Sequence, residues 1–132
     1  MTTLQTLKNH ALKAMENAYA PYSKFSVGAA LIDENEHIHS GCNVENSAYP
    51  EGVCAEASAI SAMILTGGRK IKQILLVSSG QHQVAPCGGC RQKIKEFADE
   101  NTKIVIYHND SITTYSIAEL LPHSFDKSYL PQ

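Results

Sequence analysis

The sequence predicts an α/β fold built on a mixed sheet of five strands. Helix-like and strand-like segments alternate along the 132 residues, which is the pattern of a sheet with helices packed on it. The first two and the last two strand-like segments are separated only by short polar turns, at residues 33–36 and 108–111, so each pair should form an antiparallel hairpin. The length is that of one domain, and we expect residues 1–132 to form it.

The first half of the chain predicts two helices and two strands. Residues 3–19 carry leucine, alanine and methionine at three- and four-residue steps, a pattern typical of an amphipathic helix, and Pro21 ends it. Residues 27–32 and 37–43 predict a buried strand and the strand that returns from it. After a polar loop, residues 54–65 are apolar on all sides, as expected for a buried helix.

The second half predicts three more strands. Residues 71–79 contain a continuous apolar run, which is typical of a central strand. Residues 88–100 predict a helix with one apolar face, and residues 103–107 and 112–116 predict the last two strands. One helical turn at residues 117–121 precedes a polar tail.

The composition excludes several classes of protein. Apolar residues make up 43% of the chain and charged residues 18%, unlike a disordered chain. The net charge is −2 and only Arg69 and Arg91 are arginines, which gives no sign of a nucleic-acid-binding surface. The apolar stretches are too short for a membrane-spanning helix, and the N-terminus lacks the pattern of a secretory signal. We therefore expect a cytoplasmic protein with no membrane partner.

Four cysteines, Cys42, Cys54, Cys87 and Cys90, are the main chemical feature. They could form two disulfides, but reduced thiols are more typical of a chain without a secretory signal. Cys54 and the pair Cys87 and Cys90 lie where loops meet predicted helices, and helix N-termini favour thiolates. Three thiolates at one point would bind zinc and leave a fourth position for water, as in catalytic sites.

Other interpretations of the cysteines stay open. Taken alone, Cys87 and Cys90 suit a structural zinc site or a redox pair as well as a catalytic site. Cys42 has no partner at metal-ligand spacing and is better explained as a small buried apolar residue than as a fourth ligand.

Glu56 lies two residues after Cys54 and on the first turn of the predicted helix. A carboxylate there can lie near a metal without binding it, and can take a proton from a metal-activated water. Its alternative role is a first-turn charge that interacts with the helix dipole. The position beside a candidate ligand favours the catalytic role.

The sequence resembles the small, homotetrameric, three-cysteine cytidine deaminases. The resemblance is carried by residues 20–30, 41–46, 54–56, 86–92 and 119–122. The paired Cys-Ala-Glu and Pro-Cys-x-x-Cys motifs are the strongest part, because they match the signature of zinc deaminases. The resemblance implies a three-layer α/β/α fold, a Zn²⁺ cofactor and a homotetramer that acts on a small nucleoside.

The resemblance also implies roles for individual residues. Cys54, Cys87 and Cys90 would ligate zinc, and Glu56 would carry protons. The substrate-binding residues that it implies are Asn43 and Glu45 for the ribose, Phe25 and the Ala55 backbone for the base, and Phe125 for the site of a neighbouring subunit. Without the zinc motifs, Asn43 and Glu45 would be ordinary strand-end polar residues, and Phe25 and Phe125 would be core or interface aromatics.

Three functions compete at this point. The first is hydrolytic deamination of free cytidine and deoxycytidine to uridine and deoxyuridine, with release of ammonia. The second is deamination of bases in nucleic acid. The predicted hairpin at residues 108–111 opposes it, because the editing deaminases resemble this fold but run their last two strands parallel. The third is a non-catalytic zinc domain, which leaves Glu56, Asn43 and Glu45 without a role.

Ala57 is the one departure from the family pattern, which usually has arginine after Cys-Ala-Glu. Three thiolates on Zn²⁺ leave a net negative charge, which raises the pKa of bound water. The arginine would offset that charge, and here only the helix N-termini and Arg91 are candidates to replace it. We therefore expect a weaker catalyst, and keep as an alternative a related deaminase of aminoacyl-nucleoside antibiotics.

Overall fold

The computed structural model describes residues 1–131. Its elements are α1 (Thr3–Glu16), β1 (Val27–Asp33), β2 (Ile38–Cys42), α2 (Ala55–Leu65), β3 (Ile71–Ser78), α3 (Gly88–Phe97), β4 (Lys103–His108), β5 (Ser111–Tyr115) and α4 (Ile117–Leu120). Every predicted helix and strand is present, and the largest differences are that α1 and α3 end earlier than predicted. Two short 3-10 turns, Tyr49–Glu51 and Lys127–Tyr129, lie in segments predicted as loop and tail.

The five strands form one sheet in the order β2-β1-β3-β4-β5. The hairpins β1–β2 and β4–β5 are antiparallel, and so is the pair β1–β3. Only β3 and β4 run parallel, and α3 makes the crossover that a parallel pair requires. The mixed sheet and the antiparallel last hairpin are confirmed.

Helices cover both faces of the sheet, which gives the predicted α/β/α layers. One face packs against α1 through a cluster of buried residues: Leu7, Ala11, Ala30, Ile32, Leu75, Val77 and Val105. The opposite face packs against α2, α3 and α4 through a larger cluster: Ala29, Leu31, Ala55, Ala59, Ile60, Met63, Ile71, Ile74, Leu76, Ile94, Ile104, Ile117 and Leu120. Neighbouring strand residues alternate between the clusters, as side chains on a pleated strand must.

The α1 layer depends on a local cap and on one close approach. Thr2 and Gln5 form a capping box that satisfies N–H groups at the start of α1. Gly28 on β1 allows the helix to lie close, since a Cβ at this position would be 2.0 Å from the carbonyl oxygen of Ala11. A larger residue at position 28 would push α1 off the sheet.

The parallel pair fixes where a site can form. The carboxyl ends of β3 and β4 meet at one edge of the sheet, and the crossover places the N-terminus of α3 near that edge. Ligands bind at such edges in many α/β folds. None of the helices within residues 1–131 is long and apolar enough to cross a membrane.

Candidate metal centre and active site

Two helix N-termini bring three sulfur atoms together. Cys54 is the N-cap of α2, Cys87 is the N-cap of α3, and Cys90 lies in the first turn of α3. The three Sγ atoms lie within 4.8 Å of one another. The first N–H groups of α2 and α3 have no acceptors within their own helices, and these helix starts lie at the cluster.

The thiols differ in how easily they lose a proton. A hydrogen bond from the Cys90 backbone N–H lowers the pKa of the Cys87 thiol. Burial raises the pKa of the Cys54 thiol above the ordinary value, and it raises that of Cys90 well above it. Three thiolates can therefore coexist here only when a cation shares them. Three soft thiolate ligands suit Zn²⁺, which is usually tetrahedral, and they leave one coordination position for another ligand.

Glu56 lies beside this cluster and is only 5% exposed. Burial raises the pKa of its carboxyl group above the ordinary value, against a lowering hydrogen bond from its own backbone N–H. A carboxyl group with a raised pKa exchanges protons more readily near neutral pH. The position and the environment both suit proton transfer.

A cavity of about 240 Å³ opens directly above these groups. Its lining residues are Phe25, Val27, Asn43, Cys54, Ala55, Glu56, Leu76, Val77, Ser78, Val84, Ala85, Pro86, Cys87 and Ile106. The structure thus brings together six residues that the sequence singled out, from four separate segments of the chain. The rest of the wall is mostly apolar and comes from the start of β1, the carboxyl ends of β3 and β4, and the loop after β3.

Asn43 ties the wall of this cavity to the start of β1. Its Oδ1 accepts a hydrogen bond of 2.8 Å from the Val27 N–H, and its Nδ2 donates one of 2.9 Å to the Phe25 carbonyl oxygen. One N–H and one lone pair of the amide remain for a ligand. Asn43 therefore holds the backbone of Phe25 in place while it lines the cavity.

Glu45 lines a second cavity of about 360 Å³, together with Tyr22, Ser23, Asn46, Tyr49 and Gly52. Its Oε1 accepts hydrogen bonds from the backbone N–H groups of Tyr22 and Ser23, and its Oε2 accepts one from the Ser23 hydroxyl. The hydrogen bonds from Ser23 lower the pKa of its carboxyl group. Asn43 and Glu45, both expected at the ribose, therefore line two separate cavities rather than one.

The two phenylalanines have different surroundings. The Phe25 ring packs over Gly80, where a Cβ would lie 2.6 Å from its Cε1 atom. Phe125 is 60% exposed and stacks on Tyr129, with ring centroids 5.5 Å apart. Phe125 is not part of the cavity wall of its own chain, so its role in a neighbouring subunit stays a prediction.

Arg91 supports the loop rather than the sulfur atoms. Its Nε donates a hydrogen bond of 2.7 Å to the Pro86 carbonyl oxygen, and its Nη1 donates one of 2.9 Å to the Leu120 carbonyl oxygen. These bonds fix the residue before Cys87 and join α3 to the end of α4. Ala57, in the first turn of α2, contributes no charge to the site.

Comparison with known proteins assigns this arrangement. A protein-family model described as the cytidine and deoxycytidylate deaminase zinc-binding region matches residues 1–108. The chain belongs to this family. Membership in the deaminase family confirms Zn²⁺ as the cofactor, in agreement with the three clustered thiols.

Relatives of this deaminase-family chain cover nearly its whole length. It is 43% identical over 119 residues to the cytidine deaminase of Sporosarcina psychrophila, a match that spans 89% of this chain and 88% of that protein. The crystal structure of cytidine deaminase from Burkholderia pseudomallei is 37% identical, with a TM-score of 0.85 over 95% of this chain and 100% of the other. The corresponding structure from Mycobacterium tuberculosis is 33% identical, with a TM-score of 0.81 over 95% and 98%. These structures confirm the predicted fold.

Sequence reasoning missed most of the cavity wall. Leu76, Val84 and Ile106 line it, but an apolar side chain carries no signal that separates a pocket from a core. Gly80 was also missed, although it makes room for the Phe25 ring. Only the tertiary packing brings these residues to the site.

Proposed function

We propose that this chain is a zinc-dependent cytidine deaminase, which hydrolyses free cytidine and deoxycytidine to uridine and deoxyuridine and releases ammonia. The observation that carries the proposal is the meeting of three thiols with the buried carboxyl group of Glu56 at one cavity. The relatives described above are named cytidine deaminases, which supports the same substrate class. The alternative raised by Ala57, an aminoacyl-nucleoside substrate, has no counterpart among these named relatives.

Cys54, Cys87 and Cys90 would hold the zinc ion. When bound, zinc supplies Lewis acidity and lowers the pKa of a water molecule, so that hydroxide forms near neutral pH. The N–H groups at the starts of α2 and α3 stabilise the three thiolates. Cys42 lies on β2, outside this cluster, and takes no part.

Glu56 moves the protons of the reaction. Its carboxylate takes one proton from the attacking water and passes it to the ring nitrogen next to the amino-bearing carbon. The hydroxide that remains adds to that carbon. Glu56 then takes the proton of the added hydroxyl group and delivers it to the amino group, and the carbon–nitrogen bond breaks, so that cytidine and water become uridine and ammonia. Burial keeps the carboxyl group out of bulk water, where competing proton exchange would be fast.

The cavity suggests how the nucleoside lies. The pyrimidine would enter the smaller cavity, where the Phe25 ring forms one wall and the free N–H of Ala55 at the start of α2 faces the base. The sugar would extend toward the second cavity, so that it could reach Asn43, which lines the first cavity, and Glu45, which lines the second. Glu45 still has a lone pair for a hydroxyl after its three hydrogen bonds.

A homotetramer would complete the site. Phe125 and Tyr129 form an exposed aromatic stack on the chain surface, at 60% and 70% exposure, and large aromatics are typical of interface anchors. We propose that Phe125 closes the nucleoside cavity of a neighbouring subunit. Sedimentation of active enzyme as a monomer would contradict this part of the proposal.

The same proposal places residues 1–132 in one catalytic domain, since both helical layers pack on the same sheet. A free nucleoside rather than nucleic acid agrees with the net charge of −2 and with the antiparallel β4–β5 hairpin. A cytoplasmic location agrees with the need for three reduced thiols, because thiols stay reduced in that compartment.

The test is an assay of ammonia release by the purified protein, with zinc content measured on the same sample. We expect one zinc ion per chain, and ammonia equal to the cytidine or deoxycytidine consumed. Deoxycytidylate, single-stranded DNA and an aminoacyl-nucleoside antibiotic serve as comparison substrates and should react far more slowly. A zinc-loaded protein that releases ammonia only from the antibiotic would overturn the choice of substrate.

A further inference from the structure

The proposed metal centre has more negative charge than its immediate partners balance. Three thiolates on one Zn²⁺ ion carry a net charge of −1, and the ionised Glu56 carboxylate adds another. Helix N-termini supply only partial positive charges. Ala57 is uncharged, and the Arg91 guanidinium is turned to the carbonyl oxygens of Pro86 and Leu120. A further cation would strengthen metal binding here.

Lys93 is placed to supply that charge. It lies one helical turn after Cys90 on α3, so residues 90 and 93 share a helix face. Its side chain turns back toward the start of the helix, because a Cβ on Gly89 would lie 3.8 Å from Lys93 Nζ. Gly89 itself stands between Cys87 and Cys90 in the metal-binding turn. The ammonium group therefore lies beside the turn that holds two of the three sulfurs.

Lys93 is the sixth residue of α3, but its ammonium reaches back to the first turn at Gly89, where a cation is unfavourable unless an anion is near. A helix N-terminus carries partial positive charge, which repels cations. Within residues 1–131, Lys93 makes no ion pair or hydrogen bond with another side chain that would account for its placement.

We propose that Lys93 is a positioning residue of the metal centre, whose ammonium offsets the charge of the three thiolates and so strengthens zinc binding. This inference rests on the proposed function, in which Cys54, Cys87 and Cys90 hold zinc. The first turn of α2 has no cation, because residue 57 is alanine. The Lys93 ammonium on α3 supplies the positive charge instead. It acts through the sulfurs and does not touch the nucleoside cavity.

The test measures zinc affinity by competition with a chromophoric chelator, in wild type and three variants of the full chain. Lys93→Met removes the charge and keeps the length of an exposed side chain, and Lys93→Arg keeps the charge. Lys13→Met is the control, because it makes the same change in net charge on α1, on the opposite face of the sheet. We expect Lys93→Met to weaken zinc binding about tenfold. This is the lower end of the loss in metal affinity that is typical when a residue supporting the metal ligands is replaced.

The controls separate charge from structure. Lys93→Arg should stay within about twofold of wild type, Lys13→Met should be unchanged, and the deficit of Lys93→Met should shrink in 1 M salt because ions screen exposed charges. Zinc binding by Lys93→Met within twofold of wild type overturns the inference, and so does a deficit that Lys93→Arg shares. A wild-type protein that binds no zinc would overturn the proposed function itself, which the other outcomes leave intact.

Discussion

Two carboxyl groups are buried within residues 1–131, and their surroundings give them different roles. Asp33 at the end of β1 is 1% exposed and Glu56 at the start of α2 is 5% exposed. The Asp33 carboxylate makes its hydrogen bonds to other residues of the fold, whereas Glu56 faces a cavity. Both are acidic residues near a turn, so residue type and burial alone do not separate them.

Asp33 organises the β1–β2 hairpin. Its Oδ1 accepts hydrogen bonds from the backbone N–H groups of Asn35 and His37, and its Oδ2 lies 2.8 Å from His39 Nε2. Burial alone would raise the pKa of Asp33, but the hydrogen bonds from His39, His37 and Asn35 together lower it below the ordinary value. The carboxylate is therefore fixed in its charged form and serves the fold.

Glu56 has the opposite balance. Burial dominates its environment and raises the pKa of the carboxyl group. Its remaining hydrogen-bonding capacity is directed at the cavity and at the sulfur cluster. The comparison shows that a buried carboxyl group can take part in chemistry when the protein leaves its hydrogen-bonding positions open to a substrate.

The first prediction separates the two acids by activity. Glu56→Gln keeps the size of the side chain but cannot accept and return a proton, so we expect kcat for cytidine to fall about 10³-fold or more. Its zinc content should remain at one ion per chain, because Glu56 is not among the clustered thiols. Asp33→Asn is the matched control and should keep kcat within severalfold. Equal losses in the two variants would remove the distinction between them.

The second prediction separates them by stability. Asp33→Ala leaves two backbone N–H groups and the partly buried His39 ring without a partner, which should lower the free energy of unfolding by about 3 kcal/mol. Glu56→Gln should leave it unchanged or slightly raised, since a buried charge is removed. Urea unfolding of the metal-free proteins gives both values. A larger loss for Glu56→Gln than for Asp33→Ala would contradict the assignment of roles.

The third prediction concerns pH. The pKa of Asp33 is lower in the folded protein than the ordinary value of 3.8, so its contribution to stability is complete above about pH 4 and is lost as the pH falls through the folded value. Asp33→Asn removes this titration. Between pH 5 and pH 2.5, the variant should lose less stability than wild type in urea unfolding. Parallel pH curves for the two proteins would show that Asp33 does not contribute.

The fourth and smallest effect concerns Glu45, a carboxylate at the surface. Its oxygens hold the backbone of Tyr22 and Ser23 near the nucleoside cavity. Glu45→Gln loses part of this set of acceptors, so we expect KM for cytidine to rise about threefold to tenfold with kcat nearly unchanged. Glu51→Gln, in the neighbouring 3-10 turn, is the control. A change in kcat without a change in KM would place Glu45 in the chemistry instead.

The sequence was sufficient for the fold because its signals are local. Hydrophobic periodicity marked each helix and strand, and the short turns fixed both hairpins as antiparallel. The errors lie where local signals weaken. The helix ends at Glu16 and Phe97 come earlier than predicted, as helix ends often fray.

The metal cluster could also be predicted from the sequence, since Cys87 and Cys90 are neighbours in one turn and Cys54 begins another helix. The arrangement of the substrate-binding residues was harder to predict. Val44 pairs with both Tyr19 and Val53 in isolated bridges, and the residues on either side of it, Asn43 and Glu45, line separate cavities. Such long-range pairing has no local pattern. Lys93 did have a local sequence signal, because it follows Cys90 by three residues on the same helix.

Zinc content and ammonia release from cytidine, measured together in Cys87→Ala and Cys42→Ala, test the central claim most directly. Both variants remove one thiol, but only Cys87 belongs to the cluster of three sulfurs. Cys42→Ala should keep one zinc ion per chain and wild-type turnover, whereas Cys87→Ala should lose both. A Cys87→Ala protein that still binds zinc and releases ammonia at the wild-type rate would contradict the account.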